Sequence, residues 1–174
     1  VYNASFAASA AILLGADDSS VRLGLADYTP AGIRQNIYRS GDVTVIADCY
    51  NAAPESMRGA IDTLASISVS GKRIAVLGDM LELGADSAAM HRSVGKYVAD
   101  KGIDLLFTLG VSGAIIADGA ISEGMAPESV FSELDRDSTD GICDRIREAA
   151  ESGDAVLFKA SRALRLEKII ESVF

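Results

Sequence analysis

The sequence predicts an α/β fold, a mostly parallel sheet with helices on both faces, and three observations carry that expectation. From residue 43 onward, apolar runs of strand length alternate with amphipathic stretches of helical length. The runs, such as Ile74-Ala75-Val76-Leu77, are uninterrupted, so both faces of each strand are expected to be buried, as parallel sheets require. Glycines and short polar clusters, among them Gly78-Asp79 and Gly110, punctuate the junctions.

Taken in order, residues 2–14 read as an alanine-rich apolar helix ended by Gly15, and 19–28 as a second helix with Ser19 or Ser20 as its N-cap. Thr29-Pro30-Ala31-Gly32 reads as a turn or linker. Residues 33–39 are expected to pair with 43–47 across Ser40-Gly41-Asp42, placing a β-hairpin strand at the start of the sheet. Pro54 suits the first turn of a helix over 54–67. Residues 73–77 form the next strand, and 87–101 a helix that Gly102 stops. A strand over 104–109 ends in Gly110, followed by a helix over 112–122. Residues 130–131 read as a short strand, 138–152 as a helix, 155–159 as the last strand and 164–173 as the last helix. Repeated βα units of this length imply a Rossmann-like, mostly parallel sheet. The opening helices break that rhythm, so residues 1–29 read as the end of a preceding domain and 30–174 as the α/β domain.

At 174 residues and 49% hydrophobic, the chain can fill the core of one main domain. Its formal charge of -9 disfavours a phosphate backbone or an anionic bilayer, so no nucleic acid partner is expected. Apolar runs such as residues 7–14 fall well short of the roughly 20 residues a membrane span needs, and the first residues lack the basic start of a signal peptide. The expected location is the cytoplasm. Cys49 and Cys143 lie far apart in no Cys-x-x-Cys spacing and read as buried free thiols; a single histidine, His91, favours no metal cluster.

Three segments could carry chemistry, each at the carboxyl end of a predicted strand, where open α/β sheets bind ligands. In the first, Asp48 is placed to accept from a ribose, while Tyr50 and Asn51 offer an aromatic surface and an amide to a nucleobase. An Asx turn introducing the helix at Pro54 explains the same residues. In the second, Asp79 and Glu82 could hold a cationic amine, transfer a proton or support a metal; helix capping or solvation is the bland alternative. His91, in the helix that follows, fits a packing role as readily as a binding one. In the third, Lys159, Ser161 and Arg162 set two cations and a hydroxyl at the lip of the sheet, suited to a carboxylate or phosphate, or simply to capping the sheet edge. Neither Gly-x-x-x-x-Gly-Lys-Ser/Thr nor Gly-x-Gly-x-x-Gly occurs in the chain.

Together these segments resemble the carboxyl-terminal domain of the Mur ligases, ATP-dependent enzymes that extend the peptidoglycan stem peptide. The motifs are similar to those of the branch that adds D-alanyl-D-alanine to UDP-N-acetylmuramoyl-tripeptide. Its Asp-Cys-Tyr-Asn-Ala-Asn-Pro-x-Ser-Met is matched by residues 48–57 except for Ala53; its Leu-Gly-Asp-Met-x-Glu-Leu-Gly by 77–84; and its His-x-x-Val-Gly by His91, Val94 and Gly95. Lys-Gly-Ser-Arg appears as Lys159-Ala160-Ser161-Arg162, with Leu166 where methionine is usual. Tyr2-Asn3-Ala4 with Ala7-Ala8 looks like the closing helix of the central ATPase domain, to which residues 1–29 would belong.

The resemblance implies ATP-binding roles for Asn3, at adenine, Arg34, at ribose and phosphates, and Asp48, with Tyr50 and Asn51 beside them. It implies substrate-binding roles for Asp79, Glu82, His91, Lys159, Ser161 and Arg162. It also implies a three-domain enzyme whose P-loop and magnesium site lie in a central domain outside this chain, so the fragment alone would be inactive. In that chemistry a carboxylate is phosphorylated by ATP and the dipeptide amine attacks the acyl phosphate. A stand-alone nucleotide- or peptide-binding module is the alternative. A folylpolyglutamate synthase is a further one, but its Asp-Gly-Ala-His-Asn-Pro pattern is unlike residues 48–54.

Overall fold

The computed structural model describes residues 2–28 and 35–174. The chain divides into two compact units, Val1–Ala31 and Gly32–Phe174. In the first, α1 (Tyr2–Leu13) is followed by α2 (Asp18–Ala26). Gly15 turns the chain at φ +92°, a region open to glycine at little cost. The N-cap of α2 is Asp17 rather than Ser19 or Ser20, its carboxylate accepting the Ser20 N–H at 2.8 Å. Both serine hydroxyls also donate to Asp17, and these bonds, Ser19 first, lower its pKa to about 2.

The second unit is a six-stranded sheet in the order β1-β2-β6-β3-β4-β5. Its strands are β1 (Asn36–Ser40), β2 (Val43–Ala47), β3 (Arg73–Gly78), β4 (Leu105–Leu109), β5 (Val130–Glu133) and β6 (Ala155–Lys159). The expected hairpin is present: β1 runs antiparallel to β2, with Ser40 opposite Val43, and every other pairing is parallel. The expected start of the hairpin strand at residues 33 and 34 lies outside the described residues.

The helices are α3 (Pro54–Ser66), α4 (Ser87–Asp100), α5 (Val111–Ser122), α6 (Asp140–Ala149) and α7 (Leu166–Val173). Successive strand residues face opposite ways, and two cores result. Ile46, Ala75, Leu77, Ala155 and Leu157 pack with α3, α4 and α5. Val45, Ile74, Val76, Val156 and Phe158 pack with α6 and α7. Strand β6 is buried along its whole length, as a central parallel strand must be.

Two glycines bring α4 and α5 into backbone contact. A Cβ on Gly95 would lie 1.9 Å from the Ile116 carbonyl oxygen, and one on Gly119 would lie 2.4 Å from the Arg92 carbonyl oxygen. The glycine of the His-x-x-Val-Gly motif thus sets a helix crossing. Most boundaries shift by a residue or more from the sequence reading, and three of the shifts have a local cause. Strand β5 is four residues rather than two, because Ser132 adds a rung and its hydroxyl meets Thr108 Oγ1 at 2.7 Å. Helix α6 begins at Asp140, because Ser138 donates its N–H back to Asp135 in a turn. Helix α7 begins at Leu166, because Arg162–Leu164 forms a 3-10 turn and Arg165 takes φ +50°.

Candidate functional site

Strand order places the three motif-bearing segments side by side, since β6 lies between β2 and β3. Chains leaving β2 and β3 enter α3 and α4 on one face, while the chain leaving β6 enters α7 on the other. That divergence lies at the carboxyl ends of the central strands, the position where open α/β sheets take ligands. A separate hollow, lined by Ile103, Asp104, Met125 and Ser129 among others, lies at the amino ends of β4 and β5, away from these segments.

Asp48 and Lys159 sit on neighbouring strands and pair directly. Lys159 is 1% exposed, and its ammonium donates to Asp48 Oδ2 at 2.6 Å and to the Asn51 carbonyl at 3.0 Å. Asp48 Oδ1 also accepts the Gln35 N–H at 3.2 Å. A carboxylate offers about four acceptor positions, so Asp48 retains capacity for a ligand hydroxyl, whereas Lys159 is committed to holding Asp48 and the loop beside it. Asn51 Oδ1 accepts the Ala52 N–H, and its Nδ2 has no partner among the described residues. Tyr50 is exposed. An aromatic face, an amide and a carboxylate with spare acceptor positions suit a nucleoside.

Ala53, where the family pattern has asparagine, gives α3 an extended N-cap with no side-chain bond. Ser56 Oγ instead accepts the Ala53 N–H and donates to the Ala53 carbonyl, both at 3.0 Å.

The second segment is held from several directions. The Asp79 carboxylate accepts the Gly113 N–H at 2.7 Å and so caps the first turn of α5, a favourable place for a negative charge. Gly110 makes this approach possible: it takes φ +97°, and a Cβ there would lie 2.5 Å from Asp79 Oδ1. His91 is fully buried and accepts the Met80 N–H on Nε2 at 2.9 Å, while Nδ1 faces the Ser87 carbonyl at 2.7 Å. Those partners require the neutral ring with its proton on Nδ1. Ser161 Oγ accepts the Leu81 N–H at 2.8 Å, and the Ser161 N–H donates to the Asp79 carbonyl at 3.0 Å. Glu82 follows at φ +64°; its side chain is exposed and makes no hydrogen bond or ion pair among the described residues.

Arg162 is exposed and pairs with Glu167 at 2.7 Å. Ala160, where the family pattern has glycine, is buried against Gly78: a Cβ added to Gly78 would lie 2.9 Å from the Ala160 Cβ. The extra methyl therefore enters the core. Asn3 is exposed on α1, and Arg34 lies outside the described residues. Cys49 and Cys143 are buried free thiols, and burial pushes Cys49 up to about 12. No group of three or more His, Cys, Asp or Glu among the described residues could hold a metal ion, and none of their helices is long and apolar enough to cross a membrane.

The structure thus joins Asp48, Asn51 and Lys159 in one cluster and Asp79, His91 and Ser161 in another. Sequence reasoning missed Gln35, Gly110 and Gly113, which contribute backbone groups or the space for them. The glycine pair Gly110 and Gly113, opening a helix after a buried strand, was the available signal.

Residues 34–162 match the family described as Mur ligase, glutamate ligase domain. The UDP-N-acetylmuramoyl-tripeptide–D-alanyl-D-alanine ligase of Bacillus subtilis is 35% identical over 174 residues, covering 99% of this chain and 37% of its own length. The enzyme of that name from Mycobacterium tuberculosis is 32% identical over 192 residues, with the same coverage of 99% and 37%. Among solved structures, MurF from Acinetobacter baumannii superposes with a TM-score of 0.83 at 26% identity, over 98% of this chain and 36% of that one. MurF ligase from Thermotoga maritima, in complex with ADP, gives 0.76 at 27% identity, over 95% and 35%. The chain therefore spans little more than a third of the length of the curated relatives it matches. On sequence and fold together, the chain belongs to the Mur ligase family, whose glutamate ligase domain it carries.

Proposed function

We propose that this chain is the carboxyl-terminal part of an ATP-dependent ligase that joins D-alanyl-D-alanine to UDP-N-acetylmuramoyl-tripeptide in the cytoplasm, as a step of peptidoglycan precursor synthesis. The observation that carries this reading is the convergence of three motif-bearing segments on the carboxyl ends of β2, β6 and β3. A relative 35% identical over nearly the whole chain bears that activity in its name. Residues 1–29 are the closing helices of a central domain, which supplies the P-loop and magnesium, and 30–174 form the domain that closes over the substrates.

In this reading Asn3, Arg34, Asp48, Tyr50 and Asn51 face ATP, with Lys159 setting the orientation of Asp48. Asp79, His91 and Ser161 shape the acceptor side, and Glu82 and Arg162 present charge to it. The domain then contributes positioning and charge stabilisation rather than covalent chemistry. The test compares the full-length protein carrying this chain with the isolated chain, given ATP, magnesium, UDP-N-acetylmuramoyl-tripeptide and D-alanyl-D-alanine. Full-length protein is expected to release ADP together with the joined product. Release of ADP by the isolated chain, or none by the full-length protein, would overturn the reading.

A further inference from the structure

Strand β6 runs out into Lys159-Ala160-Ser161, three consecutive buried residues that lie between the loops leaving β2 and β3 and are tied to both. On the β2 side, the Lys159 ammonium donates to Asp48 Oδ2 and to the Asn51 carbonyl, and the Asp48 N–H donates to the Phe158 carbonyl at 3.0 Å. On the β3 side, Ser161 holds Asp79 through its N–H and Leu81 through its hydroxyl oxygen. Between them the Ala160 methyl packs against Gly78. Lys159 therefore stands on a mount fixed from two sides.

That placement decides what the ammonium can touch. Two of its three N–H groups are given to Asp48 and Asn51, and the side chain is sealed from solvent. A ligand anion could reach it only if the side chain swung out, leaving a buried carboxylate without its counter-charge, which is costly. Asp48 differs. Lys159 occupies Oδ2, and Oδ1 accepts the Gln35 N–H at 3.2 Å from a residue at φ +46°. Each oxygen is thus fixed by a donor, and the carboxylate keeps acceptor positions beyond those two. A preset, charged acceptor suits a hydroxyl donor, since charge-assisted bonds are the stronger ones and little ordering remains to oppose binding. Resting on the ligase reading above, in which Asp48 faces the ribose of ATP, we propose that Lys159 is a positioning residue that sets selectivity for ribose hydroxyls and itself meets neither phosphate nor acceptor. It acts through Asp48, holding the carboxylate where the sugar hydroxyl is taken. This indirect role replaces the substrate contact that the resemblance implied for Lys159.

The test uses the full-length protein with Lys159→Met, Asp48→Asn and the two combined, and compares ATP with 2′,3′-dideoxy-ATP. Wild type is expected to favour ATP about 10- to 100-fold in kcat/KM, as loss of a charge-assisted hydrogen bond requires. Lys159→Met is expected to lose most of that preference, with the KM for ATP raised by a similar factor and the KM values for D-alanyl-D-alanine and the UDP-linked substrate unchanged. Because Lys159 acts through Asp48, adding Lys159→Met to Asp48→Asn is expected to raise the KM for ATP no further. The combined variant leaves neither member of the buried pair as an unpaired charge, so it stays testable where a single variant fails to fold. A preference retained in Lys159→Met, a rise in its dipeptide KM, or a further rise in the combined variant, which a direct phosphate contact requires, would overturn the assignment. A wild type that ligates the dipeptide but is indifferent to the two hydroxyls would overturn it as well, leaving the ligase reading in place. A wild type that ligates no dipeptide would instead sink the ligase reading and this assignment with it.

Discussion

Asp79 and Gly113 are joined by a 2.7 Å hydrogen bond from the glycine N–H to the carboxylate, across 34 residues of sequence. One side chain at the end of β3 thereby caps α5, the helix following the neighbouring strand. Asp79→Ala leaves a buried N–H without a partner and is expected to lower unfolding free energy by about 1–3 kcal/mol. Asp79→Asn retains an acceptor and is expected to cost less. Urea denaturation of both variants checks this; equal stability of Asp79→Ala and wild type would refute the cap.

Two helical glycines are expected to respond in opposite directions to the same substitution. Gly95→Ala forces a methyl group against the Ile116 carbonyl, whose oxygen would be 1.9 Å away. Because that obstacle is backbone, the helices must separate, at an expected cost of about 1–3 kcal/mol or more. Gly59, inside α3, has nothing within 4 Å of an added Cβ. Gly59→Ala is expected to stabilise by about 0.5–1 kcal/mol, the helix propensity difference. Thermal unfolding of the pair reads both signs.

Ala53 leaves the N-terminus of α3 without a side-chain cap although its backbone is extended, as an N-cap requires. Ala53→Asn restores the family residue and an acceptor for the first turn, with an expected gain of about 1 kcal/mol. A midpoint in denaturant that fails to rise would show that an asparagine at position 53 does not reach the N–H groups of the first turn.

Alkaline stability should report on Cys49. Burial raises its folded-state pKa from 9.0 to about 12, so the folded protein keeps a proton that the unfolded chain releases. The unfolded state then binds fewer protons, and stability falls as pH rises between about 9 and 12, by up to roughly 1.4 kcal/mol per pH unit. Below pH 9 this contribution is fully present. Cys49→Ala is expected to flatten that slope, measured by denaturant titration across the window. A slope identical in wild type and variant would contradict the buried thiol.

Much of this architecture could be read from the sequence for a local reason. Strand β3 and helix α4 announce themselves by an apolar run and by amphipathic periodicity, which depend on neighbours within a turn or a strand. The insertion of β6 between β2 and β3 could not be read that way, because it rests on pairing between residues such as Ile46 and Leu157. The site divides along the same line. Its three segments are visible as polar groups ending apolar runs, but the commitments of their side chains are not. Lys159 looks like a free cation until Asp48, 111 residues earlier, is seen beside it. His91 looks equally suited to binding until both ring nitrogens are found engaged. Glu82 stands out only when its neighbours are seen to be tied and it is not.

The most direct measurement of the central claim is an acceptor panel on the full-length protein carrying this chain, with ATP, magnesium and UDP-N-acetylmuramoyl-tripeptide held constant and product mass recorded. One ADP is expected for each D-alanyl-D-alanine joined, with D-alanine or glutamate alone giving no product. Efficient ligation of a single amino acid, or ADP release uncoupled from any dipeptide, would contradict it.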